Sequence, residues 1–313
     1  LFMLDPKKLA IVIPLFNDAE RIERAVRSAG ACTLPEGFSR EIWVVDDGST
    51  DGGPARVAHL AETLDEVHLL RTPRNGGPAA ARNFALERSE AAWFTPLDSD
   101  DLMRPDRLCT LINLAQTHGA SWIGDNLILS DEATPEVCRR LLWPDKPAGD
   151  IVLSAETFIR RCYAVEVPRT ELGYLKPLID RRGLAAPRRP YRDELRFGED
   201  YELYARMLLD GARALLVDPC GYYLVQRPGS ASRTQQGEDH RRLMAVHEAF
   251  LARPGLSPGT REALLGFQAV SRREWVRWTL MAARRRRAPW QALSVLARAP
   301  AETLSALAAK FRA

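Results

Sequence analysis

Hydrophobic positions in the first hundred residues fall into four short blocks: Leu9 to Ile13, Ile42 to Val45, Val67 to Leu70 and Trp93 to Leu97. Each is strand-sized and rich in β-branched or aromatic side chains, the pattern of a buried strand. Between the blocks the period changes. Ile22, Ala25, Val26 and Ala29 share one face of a helix, and further helices are predicted from Gly52 to Leu64 and from Pro78 to Leu86. Strand and helix in alternation predict an α/β fold with a Rossmann-like, mostly parallel central sheet and helices on both faces. Such sheets bind ligands beyond the carboxyl ends of their strands. The segments standing there are Pro14-Leu15-Phe16-Asn17, Asp46 to Asp51, Arg71 to Gly77, and Asp98-Ser99-Asp100-Asp101.

Beyond about residue 120 the alternation fades. Trp122 to Leu129 reads as a strand, Pro135 to Gly149 as a loop-rich insertion, and a helix opens at Ser154 ahead of Phe158 and Ile159. Arg181 to Arg192, dense in Arg and Pro, reads as a loop. Gly198-Glu199-Asp200 then leads a helix with Tyr201, Tyr204 and Leu208 on its apolar face, followed by strands from Ala214 to Val217 and from Tyr222 to Gln226. From His240 to Ala313 the pattern is helical, broken at Pro254-Gly255, Pro258-Gly259, Pro289 and Pro300.

With 46% hydrophobic and 27% charged residues over 313 positions, the composition is that of a globular protein with ample core, which excludes disorder over most of the length. No apolar run is long enough to span a membrane and the amino terminus lacks a secretory pattern, so a cytosolic protein is expected. The cysteines Cys32, Cys109, Cys138, Cys162 and Cys220 are scattered, and are read as reduced, mostly core thiols. Charge is uneven. From Ser271 onward ten basic residues face Glu274 and Glu302, a net of +8, which leaves −5 on the preceding 270 residues given the chain total of +3. A basic tail on an acidic body suits an anionic surface, lipid or nucleic acid.

The strand-end segments hold the candidate chemistry. Asp98 and Asp100, flanking one residue, can jointly ligate a hard divalent cation completed by phosphate oxygens and water. The competing reading is an acidic turn in which Asp101 and Asp106 favour the start of the next helix. In Asp46-Asp47-Gly48-Ser49-Thr50-Asp51 one carboxylate could accept a uracil imide N–H while Ser49 or Asp51 caps a helix, or the segment is a plain turn. Asn75-Gly76-Gly77 leads into a small-residue helix whose Arg82 can pair with phosphate or with a nearby aspartate. Glu199-Asp200 offers a general base for an acceptor hydroxyl, or simply complements a helix dipole. Ser230 and Ser232, between Arg227 and Arg233, offer hydroxyls suited to a pyrophosphate.

Taken in order, Ile11-Val12-Ile13-Pro14-Leu15-Phe16-Asn17, Val44-Val45-Asp46-Asp47-Gly48-Ser49-Thr50-Asp51, Asn75-Gly76-Gly77 with Ala81-Arg82-Asn83, Leu97-Asp98-Ser99-Asp100-Asp101 and Gly198-Glu199-Asp200-Tyr201 resemble family 2 glycosyltransferases of the GT-A fold. Within that family, Gly173-Tyr174-Leu175-Lys176-Pro177-Leu178-Ile179 with Leu195 to Leu203 looks like the glucosyltransferases of bacterial succinoglycan-type exopolysaccharide assembly. The resemblance implies a GT-A catalytic domain over 1–235, with a nucleotide-sugar-binding half at 1–120 and an acceptor-binding half at 121–235, and a helical extension with a basic tail over 236–313. It implies that Asp46 or Asp47 contacts uridine, that Pro14, Leu15 and Asn17 line the base pocket, and that Asp98 and Asp100 bind Mg²⁺ or Mn²⁺. Gly77, Arg82, Ser99, Ser230 and Ser232 complete the expected UDP-sugar site. Asp200 falls on the family's catalytic base, with Glu199 beside it.

Two departures stand out: Phe16 replaces a frequent Tyr, and the glutamine-arginine-tryptophan signature of processive synthases is absent. The implied reaction is therefore an inverting, metal-dependent, non-processive transfer of a hexose, glucose by the narrower resemblance, from a UDP-sugar to a hydroxyl of a lipid-linked oligosaccharide or exopolysaccharide intermediate. A nucleotidyltransferase on a similar core and a non-catalytic nucleotide-sugar-binding subunit are the alternatives. Residues 284–313, where Trp290, Leu293, Leu304, Leu307 and Phe311 accompany Arg284 to Arg287, Lys310 and Arg312, are expected either to contact an anionic membrane peripherally on the cytosolic face of the inner membrane, or to pack on the catalytic body or serve a dimer. Nucleic acid is not expected, because no DNA-reading motif accompanies the arginines.

Overall fold

The computed structural model describes residues 3–132, 138–142, 151–164, 171–226 and 236–304. The chain divides into two compact units, residues 1–155 with 165–227, and residues 156–164 with 228–313.

In the first unit the four leading apolar blocks form β1 (Asp5–Leu15), β2 (Ser39–Asp46), β3 (Val67–Arg71) and β4 (Ala91–Pro96), joined by helices α1 (Ile22–Gly30), α2 (Gly53–Ala61) and α3 (Pro78–Leu86). After them come β5 (Leu102–Met103), α4 (Arg107–His118), β6 (Trp122–Asp131), β7 (Cys138–Arg140) and β8 (Ile151–Leu153). A helix, α5 (Ala155–Arg160), straddles the boundary between the units, and β9 (Leu178–Asp180), α6 (Glu199–Leu209) and β10 (Ala214–Gln226) complete the first. The sheet runs β3-β2-β1-β4-β9-β6-β10-β5, with β7 on β6 and β8 on β10.

β1 to β4 pair in parallel, so the ends of β1, β2 and β4 open on one edge of the sheet. β9 is antiparallel to both β4 and β6. Its amino end therefore lies at the carboxyl end of β4, which brings Lys176, two residues before β9, beside Asp98. This edge is where the chemistry gathers.

Some expectations change. β1 begins at Asp5 because its exposed polar start still pairs with neighbours, Asp5 opposite Ala91 and Lys8 opposite Ser39. Ala214 to Gln226 is one strand with a register shift between Val217 and Tyr222, where two strands were expected. Pro219 lacks an N–H for the ladder, and Gly221 passes so close to Arg107 that a Cβ would meet its Cγ at 2.6 Å. Arg181, read as part of a loop, is fully buried as the first residue of a 3₁₀ turn. Its guanidinium donates to the carbonyls of Ala91, Leu86 and Ser89, and burial lowers its pKa to about 10. Asp101 does not serve the next helix. Its Oδ2 accepts from the Tyr222 hydroxyl at 2.7 Å and its Oδ1 from the Val225 N–H at 2.8 Å. Of the thiols described, none of which is in a disulfide, Cys32 is buried, whereas Cys109 and Cys162 are half-buried.

The second unit contains most of α5 and the helices α7 (Gly237–Leu251), α8 (Pro258–Arg285) and α9 (Pro289–Arg298). Pro258 and Pro289 open helices, where a missing N–H costs nothing. Val276, Val295 and Ala299 form a small buried cluster between α8 and α9, with Trp275 and Leu280 packed on it. Among the described residues no helix is long and apolar enough to cross a membrane.

Candidate active site

The loops after β1 and β2 are tied together. Asn17, at a φ of 51° that few side chains other than Asn tolerate, donates its N–H to Ser49 Oγ at 3.0 Å and accepts from the Thr50 N–H at 2.8 Å. Asp51 takes the Ala19 N–H at 2.8 Å and the Gly53 N–H at 3.0 Å, a local turn contact, while the N-cap of α2 is Gly52, so neither Ser49 nor Asp51 is the capping residue expected. Leu15 packs into the core, Pro14 is half-buried, and Phe16 is exposed.

The two aspartates after β2 have different tasks. Asp47 accepts from Thr72 Oγ1 at 2.8 Å, the Gly76 N–H at 2.9 Å and the Gly77 N–H at 2.7 Å, so its carboxylate shapes the 72–77 loop. Gly77 has a φ of 86°, and a Cβ there would meet Arg196 at 3.3 Å. Asp46, equally buried, accepts the Ser49 N–H on Oδ1 at 2.7 Å, while its buried Oδ2 makes no hydrogen bond and has Arg71 Nε at 3.3 Å. An unsatisfied buried carboxylate oxygen at a strand end is suited to a ligand N–H.

After β4, Ser99 Oγ donates to Asp18 Oδ2 at 2.7 Å, which fixes the turn rather than presenting a free hydroxyl. The Asp98 N–H donates to the Tyr222 hydroxyl at 3.2 Å, so Asp101, Tyr222 and Asp98 lock the turn to β10. Asp98 meets residues from three other segments. Arg82, on α3, donates through Nη2 to Asp98 Oδ1 at 3.0 Å, and through Nη1 to Asp200 Oδ1 at 3.1 Å and Glu199 Oε1 at 2.9 Å. Lys176 Nζ lies 3.1 Å from Asp98 Oδ2 and 2.7 Å from Asp200 Oδ2. Asp98 and Asp200 are thus bridged twice, by a guanidinium and by an ammonium, in a closed ring of four charges with Glu199 attached.

Burial sets the protonation of this ring. It opposes the charge of Lys176, but Asp200 and Asp98 outweigh it and raise the ammonium's pKa. Burial likewise works to raise the Asp98 carboxyl, yet Lys176 and Arg82 hold it below the ordinary carboxylate range. Glu199 is pushed up to about 7 by burial and by the charge of Asp200. Asp101 stands well above the usual range because it is buried beside Asp98 and Asp100.

The structure thus brings Asp98, Arg82, Glu199 and Asp200 together, and adds Lys176, which sequence reasoning missed. A lone ammonium inside the apolar run Leu175 to Ile179 was the available signal, since a lysine there needs buried carboxylates. Ser230 and Ser232 lie outside the described residues. No three His, Cys, Asp or Glu side chains form a closed metal cluster among the described residues. The two carboxylates of the half-buried Asp98-Ser99-Asp100 turn fit a hard divalent cation only as an open site completed by phosphate oxygens and water. Asp98 would ligate by exchanging a contact with Arg82 or Lys176.

Comparison with known proteins accords with this geometry. Residues 10–158 match the family model described as glycosyl transferase family 2. Rhizobium meliloti ExoU, a succinoglycan biosynthesis protein, is 37% identical over 263 residues, covering 83% of this chain and 74% of that one. ExoO of the same organism is 35% identical over 249 residues, covering 79% and 69%. Among solved structures, S. aureus TarS residues 1–349 in complex with UDP-GlcNAc superposes with a TM-score of 0.62 at 16% identity, over 87% of this chain and 71% of that one. Pyrobaculum calidifontis PcManGT with GDP-Man and Mn²⁺ does so with 0.57 at 17%, over 99% and 82%. At such identities the superpositions establish the GT-A-like fold, and the family match decides for glycosyl over nucleotidyl transfer. The chain belongs to glycosyl transferase family 2 and is a glycosyltransferase.

Proposed function

We propose that this glycosyltransferase acts in exopolysaccharide biosynthesis. It moves one hexose, glucose by its likeness to the succinoglycan proteins, from a UDP-sugar to a hydroxyl of a lipid-linked saccharide, with inversion and without processive addition. The observation that carries the reading is the ring in which Arg82 and Lys176 bridge Asp98, on the donor-side turn, and Asp200, on the first turn of α6. Base and donor turn are held at a fixed separation by the two cations.

Asp46 Oδ2 takes the uracil imide N–H, and the 72–77 loop shaped by Asp47 borders the base. Asp98 and Asp100 would hold a divalent cation, which would supply neutralisation of the charge developing on the departing diphosphate. The acceptor hydroxyl oxygen attacks the anomeric carbon, its proton passes to Asp200, and the carbon–oxygen bond to the diphosphate breaks with its electron pair leaving on UDP. Both Asp200 oxygens already accept from a cation, and each keeps a second lone pair for the incoming proton. Glu199, bonded to Arg82, is a positioning residue, not the base. The first unit supplies this catalysis, the second serves as a helical extension, and 284–313 bring the enzyme to an anionic membrane bearing its acceptor.

The experiment is a screen of UDP-sugars with Mn²⁺, scored for release of free UDP and repeated in EDTA. UDP release that depends on the cation supports the reading. Release of pyrophosphate, or EDTA-insensitive turnover, overturns it.

A further inference from the structure

The helices of the second unit line an open cleft of about 870 Å³ that owes nothing to the catalytic ring. Its wall includes Arg241 from α7, Trp275 and Trp278 from α8, Arg285 and Arg286 from the end of α8, and Arg298 from α9. Four guanidinium groups thus face the single carboxylate of Glu238, which Arg241 engages at 2.7 Å. The exposed Arg285 and Arg286 have no ion pair among the described residues. A concavity with surplus guanidinium charge calls for an anionic oxygen group.

The same helices bear an apolar edge. Trp290 is 67% and Leu293 65% exposed, one helical turn apart on α9, immediately after the run Arg284 to Arg287. An exposed Trp and Leu beside a cluster of arginines match the chemistry of a lipid interface, where rings seat among headgroups and guanidinium groups meet phosphates. A free nucleotide or phosphate would explain the arginines but not the apolar edge.

We propose that this cleft is a binding site for the phosphate of an anionic membrane-lipid headgroup, with Trp290 and Leu293 entering the interface beside it. The proposal deepens the membrane contact stated above by giving it a site and a ligand class. It does not depend on the assigned transfer chemistry.

The test is sedimentation of the full chain with vesicles of phosphatidylglycerol in phosphatidylcholine, against phosphatidylcholine alone, with no donor sugar present. Wild type should bind the anionic vesicles in a salt-sensitive manner. Arg285→Ser with Arg286→Ser should weaken binding roughly thirtyfold, at about fivefold per arginine. Arg285→Lys with Arg286→Lys should retain most of it, which separates lost charge from misfolding. Trp290→Ser with Leu293→Ser should weaken it independently. Equal binding by the serine variants, or binding of inorganic pyrophosphate with no preference for anionic vesicles, would overturn the proposal. UDP release by each variant toward a soluble acceptor reads the catalytic assignment separately.

Discussion

Replacing Lys176 by Met removes the buried ammonium from the ring while keeping most of the side-chain volume, so the change is electrostatic rather than a cavity. Asp98, Glu199 and Asp200 are then left with Arg82 alone. Removing one partner of a buried ion pair costs about 3 to 5 kcal/mol, and Arg82, which still touches all three carboxylates, keeps the loss near the lower figure. The pH dependence follows from Asp98, whose carboxyl lies below its ordinary range partly because of Lys176. A depressed carboxyl contributes stability that is present above its unfolded value, about pH 3.9, and is lost as pH falls through the folded value. Urea unfolding followed by tryptophan fluorescence should therefore show Lys176→Met weakened by about 3 kcal/mol at pH 7, with the deficit shrinking below about pH 4. A deficit under about 1 kcal/mol at pH 7, or one equal at pH 3 and pH 7, would refute the ring as the origin of the effect.

The two aspartates after β2 should separate. Asp46→Asn should weaken UDP binding about tenfold in calorimetry with little change in unfolding, whereas Asp47→Asn, which keeps one acceptor oxygen but turns an NH2 donor toward a backbone N–H of the 72–77 loop, should cost about 2 kcal/mol of stability. Asp100→Ala should abolish the Mn²⁺ dependence of UDP binding, and Asp98→Ala should do so while also lowering the melting temperature, because it takes one carboxylate partner from each of the buried cations Arg82 and Lys176. Glu199, pushed up to about 7 from an ordinary 4.5, holds a proton in the folded state that the unfolded chain has released, so it subtracts stability as pH rises between those values. The melting temperature of Glu199→Gln minus that of wild type should therefore be higher at pH 8 than at pH 5, and a constant difference would show that burial does not raise this carboxyl.

What could be read from the sequence follows physical rules. The four leading strands were legible because each is an apolar block bounded by a polar end, and the strand ends place Asp46, Asp98 and their neighbours on one edge whatever the details of packing. β5, β7, β8 and β9, two or three residues each, are too short to carry an alternation signal, yet β9 is the strand that delivers Lys176. Lys176 lies 78 residues after Asp98, and only the antiparallel pairing of β9 with β4 reveals that they meet. Arg181 misled for a related reason: a charged residue in an Arg- and Pro-rich segment looks solvated, and only the ring of carbonyls from Leu86, Ser89 and Ala91 explains its burial. The division of labour between Asp46 and Asp47 was likewise hidden, since adjacent aspartates in a Gly-rich turn are equivalent until the 72–77 loop claims one of them.

The central claim is that Asp200 takes the acceptor proton. Asp200→Asn keeps the shape of the side chain and removes the base, so transfer to acceptor, measured in a single turnover with saturating donor, should fall about a thousandfold. The dissociation constant for UDP with Mn²⁺ should stay within a few-fold of wild type. Transfer by Asp200→Asn near the wild-type rate, with UDP binding intact, would make Asp200 a structural member of the ring and contradict the account.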